Sequence, residues 1–274
     1  MNIKKIRQKI VTAVLAVSII AVHIIPLYIL IGVAFKKRTD MSSRWVMPDY
    51  LYLDNFVQAV RRSDLLTAYW NTAVITFFSV VLLLLMGSFA AYPLARRQSR
   101  LNQGIQRFIM GIMMIPPLSI LVPLYSVLVS MGGISTYWGI VCLLVTFKLP
   151  MSIYLFTNFI KTVPVSLDEA ALIDGCGPGK TFFYIIFPLM KPVAASVAIL
   201  TGVQCWNDYM FSLYVLQAPK MKTVTLSVAS FFSQGGGYIN AAAAAALLGI
   251  LPVVFVFICL QKYFVKGMLD SAVK

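Results

Sequence analysis

Six stretches of the chain are long and apolar enough to cross a bilayer as helices, which takes about 20 residues each. They fall at about residues 10–35, 69–95, 105–129, 137–159, 193–214 and 241–265. The first is expected to be a retained span, since its apolar part is too long for a cleavable signal and no A-x-A site follows it. The pattern predicts an all-α membrane protein with six transmembrane helices in a single transmembrane domain over residues 1–274. Prolines at positions 26, 93, 116, 117, 123, 150 and 252 fall in or beside these runs. Each removes a helical hydrogen bond, so kinked spans are expected, with neighbouring spans satisfying the freed carbonyls. The alanine run Ala241–Ala246 reads as the closely packed start of the last span.

Composition sharpens this picture. Sixty per cent of residues are hydrophobic and 12% are charged, against about 25% charged in soluble domains. The net charge of +14 does not point to a nucleic-acid partner, because the basic residues gather in short clusters between apolar runs, the pattern that orients membrane segments. Fourteen Lys and Arg residues flank one side of the spans and eight the other. That asymmetry places both termini in the cytoplasm. The first outer loop dissents with Lys36, Lys37, Arg38, Arg44, Arg61 and Arg62, accompanied by Asp40, Asp49, Asp54 and Asp64. Trp70 and Trp138 fall near span ends, as an aromatic belt requires.

Candidate chemistry is sparse. The four cysteines form no C-x-x-C pair and no metal-ligand spacing. The single histidine, His23, has no second histidine with which to build a relay, and reads as structural. Gly175-Cys176-Gly177-Pro178-Gly179-Lys180-Thr181 imitates a phosphate-binding loop, but the motif needs glycine where Asp174 stands, and a preceding strand. ATP binding by this chain is therefore not expected. No nucleophile-base or carboxylate pair offers an enzyme site.

The interval between the fourth and fifth spans, about residues 164–188, carries the strongest local signals. Ser166 and Glu169 have the S-x-x-E spacing of a capping box, which assigns Ser166 as the cap of a two-turn helix. Asp168 and Glu169 sit at its positive end. Gly175 supplies a left-handed stop. Pro178 can open a second helix, continued by residues 181–187 and ended by Pro188. A helix of two turns is not stable alone and must dock. Its own chain or a partner protein could receive it.

These residues carry a resemblance. Glu169-Ala170-Ala171, then Gly175, then Ile186-x-Pro188 resembles the cytoplasmic loop of permease subunits of bacterial ABC importers. Asn71-Thr72 with Ala90-Ala91-Tyr92 and Ala95-Arg96 resembles the second span of carbohydrate-importer permeases. Trp206-Asn207-Asp208-Tyr209 resembles their Trp-Asn-Glu-Phe. Pro252 through Gln261-x-x-Phe264-Val265-x-Gly267, closing on Ala272-Val273-Lys274, resembles their C-terminal end. The likeness covers nearly the whole chain and is best to the second permease of maltose-type systems. Asp208 in place of glutamate, and the rigid Gly177-Pro178-Gly179, depart from the pattern.

The resemblance implies the type I importer fold in the bacterial inner membrane. It implies that the loop helix couples the spans to an ATPase through Glu169, Ala170, Ala171, Asp174 and Gly175. It also implies a second, different permease, two ATP-binding-cassette subunits that hold ATP and Mg, and an extracytoplasmic solute-binding protein. A sugar or oligosaccharide is the implied cargo; a non-sugar solute such as a glycerol phosphodiester is the alternative. A stand-alone secondary transporter is the main rival, but such proteins need ion-coupling carboxylates in the membrane, and Asp208 alone is there.

Ionisable groups within a bilayer are costly and are functional candidates by default. Lys148 is near the middle of the fourth span. Gln204, Asn207, Asp208 and Phe211 have the spacing of one helical face on the fifth, next to Trp206. The face suits a translocation path for sugars, and equally a polar seam against a partner permease. Lys148 and Asp208 differ by about 7 Å in predicted depth at 1.5 Å per residue, so they are expected to sense one another.

Overall fold

Helices form where the apolar runs predict them, but their ends and bends are set by capping and proline chemistry. The computed structural model describes residues 3–233 and 238–272. The first run becomes α1 (Ile3–Phe35), with Pro26 inside it. The loop after it carries a short helix, α2 (Asp54–Arg62), that the hydrophobic runs do not reveal. Asp54 in its first turn and Arg61 and Arg62 in its last complement the helix dipole at both ends. The second run becomes α3 (Leu65–Arg96), which contains Pro93.

The third run is not the single rod expected over residues 105–129. It forms α4 (Arg100–Met113) and α5 (Leu121–Ser130), joined through a 3-10 turn at Pro117–Ile120, with a bend of 93° between the two halves. The cause is the proline pair. Pro117 disfavours helical backbone at the residue before it, and Pro116 is accordingly extended (φ −63°, ψ 125°). The fourth run becomes α6 (Tyr137–Thr162), opened by the Thr136 hydroxyl, which accepts from the Gly139 amide at 3.2 Å.

The following loop carries α7 (Ser166–Ile173) and α8 (Pro178–Thr181). The second loop helix does not stop at Pro188. A π turn at Phe182–Ile186 leads into α9 (Phe187–Leu189), which contains that proline. Pro188 has no amide to donate, and the wider turn, closed by the Phe187 amide on the Phe182 carbonyl, admits it.

The fifth run is also interrupted. It begins as α10 (Lys191–Trp206), bent by 72° from the preceding helical stretch. The helix then breaks and resumes as α11 (Met210–Val215). The expected continuous span over 193–214 is therefore corrected to a broken one. A 3-10 turn (Pro219–Met221) precedes α12 (Val224–Ser233) and α13 (Ile239–Ala272). Among the described residues, segments of α1, α3, α6 and α13 are long and apolar enough to cross a membrane, and the two bent pairs raise the count to six. Residues 273 and 274, which close the C-terminal match, lie outside the described residues, as do the side chains of Lys4, Lys5, Lys262 and Lys266 used for orientation.

The chain divides into two compact units: residues 1–66 with 227–251, and residues 67–226 with 252–274. In the first, Ala241–Ala245 bury almost completely with Ala34, Ala59 and Phe231. The small side chains allow the close helix approach that the alanine run predicts. The second has two apolar clusters. One gathers Ile75, Leu83, Ile140, Leu144 and Val215; the other gathers Phe156, Ile160, Ile186, Met190 and Val197. The latter cluster sits where α3 and α6 end and the loop helices begin.

Candidate functional site

The loop helix α7 starts earlier than its sequence suggests. Val163, which precedes Pro164, is extended (ψ 127°). Pro164 and Val165 then offer their carbonyls to the first amides: Leu167 to Pro164 at 3.3 Å, and Asp168 and Glu169 to Val165 at 2.9 and 3.1 Å. Ser166 is thus inside the helix, and no side chain caps α7. The Ser166–Glu169 capping box is corrected: backbone turns already satisfy the donors it would serve. Glu169 is left exposed.

The far end matches expectation. Gly175 has φ +78°. Its amide donates to Leu172 at 3.0 Å and the Cys176 amide to Ala171 at 2.8 Å. That pair of bonds is the Schellman arrangement, which needs a left-handed residue at this position.

One contact that the sequence reading missed holds α7 to the spans. Arg96, the last residue of α3, lies 2.8 Å from Asp168 through Nη2 and Oδ2. The Tyr92 hydroxyl donates to Asp168 Oδ1 at 2.7 Å. Arg96 Nη1 also donates to the carbonyls of Ile160 and Val163, at 3.1 and 2.9 Å, closing the end of α6. The side chains of Arg96 and Asp168 are 11% and 17% exposed, so the attraction is little screened. Tyr92 and Arg96 are one helical turn apart, a usable signal, whereas the position of Asp168 in the first turn suggests only a helix-dipole role.

Of the residues assigned to coupling, the structure buries Ala171 and exposes Glu169, Ala170, Asp174 and Gly175. Leu172 and Ile173 are 70% and 86% exposed. The helix is anchored by Asp168 and Ala171 and presents a mixed apolar and acidic face outward.

The candidate path residues are not one helical face. Helix α10 ends at Trp206, so Asn207 and Asp208 lie in the break. Asn207 folds back on Val203 O at 2.9 Å. Asp208 Oδ2 accepts from the Ser212 amide and hydroxyl, at 2.9 and 2.8 Å, nucleating α11. Phe211 is buried and stacks on Phe147, with centroids 4.8 Å apart. Trp206 lines an apolar groove with Thr76, Val80, Gly202, Pro252 and Phe257. Lys148 Nζ donates to Gln204 Oε1 at 3.3 Å. Lys148 and Asp208 form no ion pair among the described residues: each polar end has another partner, and Arg96–Asp168 is the one ion pair there.

Asn71 and Thr72 have structural work. Asn71 Nδ2 holds the carbonyls of Lys220 and Lys222, and its Oδ1 accepts from the Tyr137 hydroxyl. Thr72 Oγ1 accepts from the Val224 amide. Together they pin the segment before α12.

Comparisons with known proteins agree with this architecture. Residues 83–270 match the family described as binding-protein-dependent transport system inner membrane component. The chain is 41% identical to the melibiose/raffinose/stachyose import permease protein of Bacillus subtilis over 96% of each chain. It is 34% identical to the multiple sugar-binding transport system permease protein of Streptococcus mutans over 92% of each. Its fold superposes with a TM-score of 0.80, at 20% identity, on a chain of a bacterial ABC transporter involved in import of the acidic polysaccharide alginate, covering 96% of this chain and 99% of that one. The chain belongs to the family of binding-protein-dependent transport system inner membrane components.

Proposed function

We propose that this chain is the permease subunit of an ATP-driven importer for a sugar or oligosaccharide, set in the bacterial inner membrane with both termini in the cytoplasm. The observation that carries the reading is the state of α7. A helix of eight residues cannot stand alone in water. Here it is fixed on one side by Arg96–Asp168 and leaves Glu169, Leu172 and Ile173 outward. That face fits a cleft on a separate ATPase subunit, which supplies the ATP and Mg chemistry. Glu169 pairs there with a basic residue, and Leu172 and Ile173 bury apolar surface. Movement of α7 then reaches α3 and the end of α6 through the same guanidinium.

The sugar class rests on the names of the relatives, which import melibiose, raffinose and stachyose or several sugars. Half of the translocation path comes from this chain and half from a second, different permease. Lys148, Gln204 and Asn207 form the polar part of its wall, and a solute-binding protein delivers the cargo from outside. The test is reconstitution in liposomes with labelled raffinose. The chain alone is expected to give no uptake. Together with a second permease, the ATPase and the binding protein it should give ATP-dependent uptake. Uptake by the chain alone, driven by an ion gradient, would overturn the reading.

A further inference from the structure

The outer loop carries six basic residues against the rule that orients the protein, and the structure shows what four of them meet. Lys36 is buried and donates to Ser42 Oγ, and to the Ser42 and Ser43 carbonyls. Lys37 lies over the rings of Tyr50 and Tyr52. Arg38 and Arg62 do something different. Their guanidinium carbons lie 5.5 and 4.3 Å from the centroid of one ring, Tyr238. The two like charges are therefore within about 10 Å of each other, comparable to the screening length at 0.1 M salt.

These residues line a polar cavity of about 260 Å³ with Tyr52, Asn55, Gln58 and Asn240. Its floor is fixed. The amide nitrogens of Asn55 and Asn240 are committed to carbonyls at the end of α1, at Val33, Ala34 and Lys36. Asp40, in the same loop, accepts from Tyr50 and Ser42. No carboxylate among the described residues pairs with Arg38 or Arg62. A guanidinium near an aromatic ring is held by cation–π attraction and still carries N–H donors in the fork that matches a carboxylate. The ring face is already covered, which disfavours a sugar stacking there.

We propose that this cavity is the docking socket for a carboxylate side chain of the solute-binding protein. The socket rests on the importer reading above, which places it on the outer side where that protein docks. Charge complementarity selects the occupant: two arginines line the cavity, and no carboxylate among the described residues pairs with either. Such contacts act mainly on association rate and its salt dependence.

The test uses the whole assembly in nanodiscs, with binding of its solute-binding protein read by surface plasmon resonance. R38Q and R62Q are each expected to weaken binding about tenfold and to flatten its dependence on salt. R61Q, a neighbouring exposed arginine outside the cavity, should change neither. R62E should be rescued by reversing one acidic residue of the binding protein to arginine, which also covers the case in which R38Q disturbs assembly. If wild-type assembly captures the binding protein and R62Q binds equally well with the same salt slope, the socket is wrong and the importer reading stands. Equal weakening by R61Q would also overturn the socket, as a general charge effect. If the wild type captures no binding protein at all, the importer reading itself fails.

Discussion

Arg96 and Asp168 meet at 2.8 Å although 72 positions of sequence, including all of α6, separate them. The guanidinium joins three elements: it ends α3, closes α6 through Ile160 and Val163, and holds α7 through Asp168. In the coupling role proposed for α7, this guanidinium is the contact through which its movement reaches the ends of both spans.

Removing either partner should be costly. Asp168→Asn is expected to lower the stability of the assembled complex by about 1.5–3 kcal/mol, as for loss of a hydrogen bond to a charged group, here from Tyr92. Arg96→Gln should cost more, about 3–5 kcal/mol, because it also frees the α6 carbonyls. Thermal melting of the four variants of a double-mutant cycle gives the coupling. Additive losses would show that the two side chains act separately. Solute-stimulated ATP hydrolysis should fall further than membrane abundance in both single variants.

Gly175 tests the helix stop without steric confusion. A Cβ there meets nothing within 4 Å, but φ is +78°. Gly175→Val should cost about 1–2 kcal/mol from backbone strain alone. Gly175→Asn should keep most of the wild-type transport, since asparagine tolerates the left-handed region. Equal transport by the valine and glycine proteins would remove α7 from the coupling role.

Gly139 tests close packing at the start of α6. An added Cβ would strike the Gly133 carbonyl, so Gly139→Ala should destabilise by about 1–3 kcal/mol. Gly104→Ala, in α4 with open space around it, should instead be neutral or stabilising by up to about 1 kcal/mol. Melting temperatures of the two variants should move in opposite directions or differ clearly in size.

The loop between α1 and α2 should resist acid. The Ser42 hydroxyl, then the Tyr50 hydroxyl and the Ser42 amide, with Lys36 adding a smaller attraction, hold the Asp40 carboxyl down to about 2. A depressed pKa means that its contribution is in place above about pH 4, the unfolded value, and is lost as pH falls through about 2. Hydrogen exchange at the Ser42 amide should stay protected from pH 7 to 4. Asp40→Asn should lose part of that protection at pH 7. Loss of protection in the wild type between pH 5 and 4 would contradict the assignment.

Local features were legible in the residues themselves. Runs of apolar residues located the membrane helices because the cost of an unpaired backbone in lipid leaves no other structure. Gly175 and Pro178 placed the end of α7 and the start of α8, because φ above zero and a missing amide are properties of single residues. The alanine run foretold close packing. Tertiary structure decided the rest. Ser166 has the spacing of a cap, yet backbone carbonyls at Pro164 and Val165 reach the same amides. Gln204, Asn207, Asp208 and Phe211 have helical spacing, yet α10 breaks after Trp206 and Asp208 turns to start α11. The Arg96–Asp168 contact and the meeting of Arg38 and Arg62 at Tyr238 join residues far apart in sequence. Spacing along one chain constrains only neighbours within a turn or two; which distant charge a guanidinium finds depends on how the helices pack.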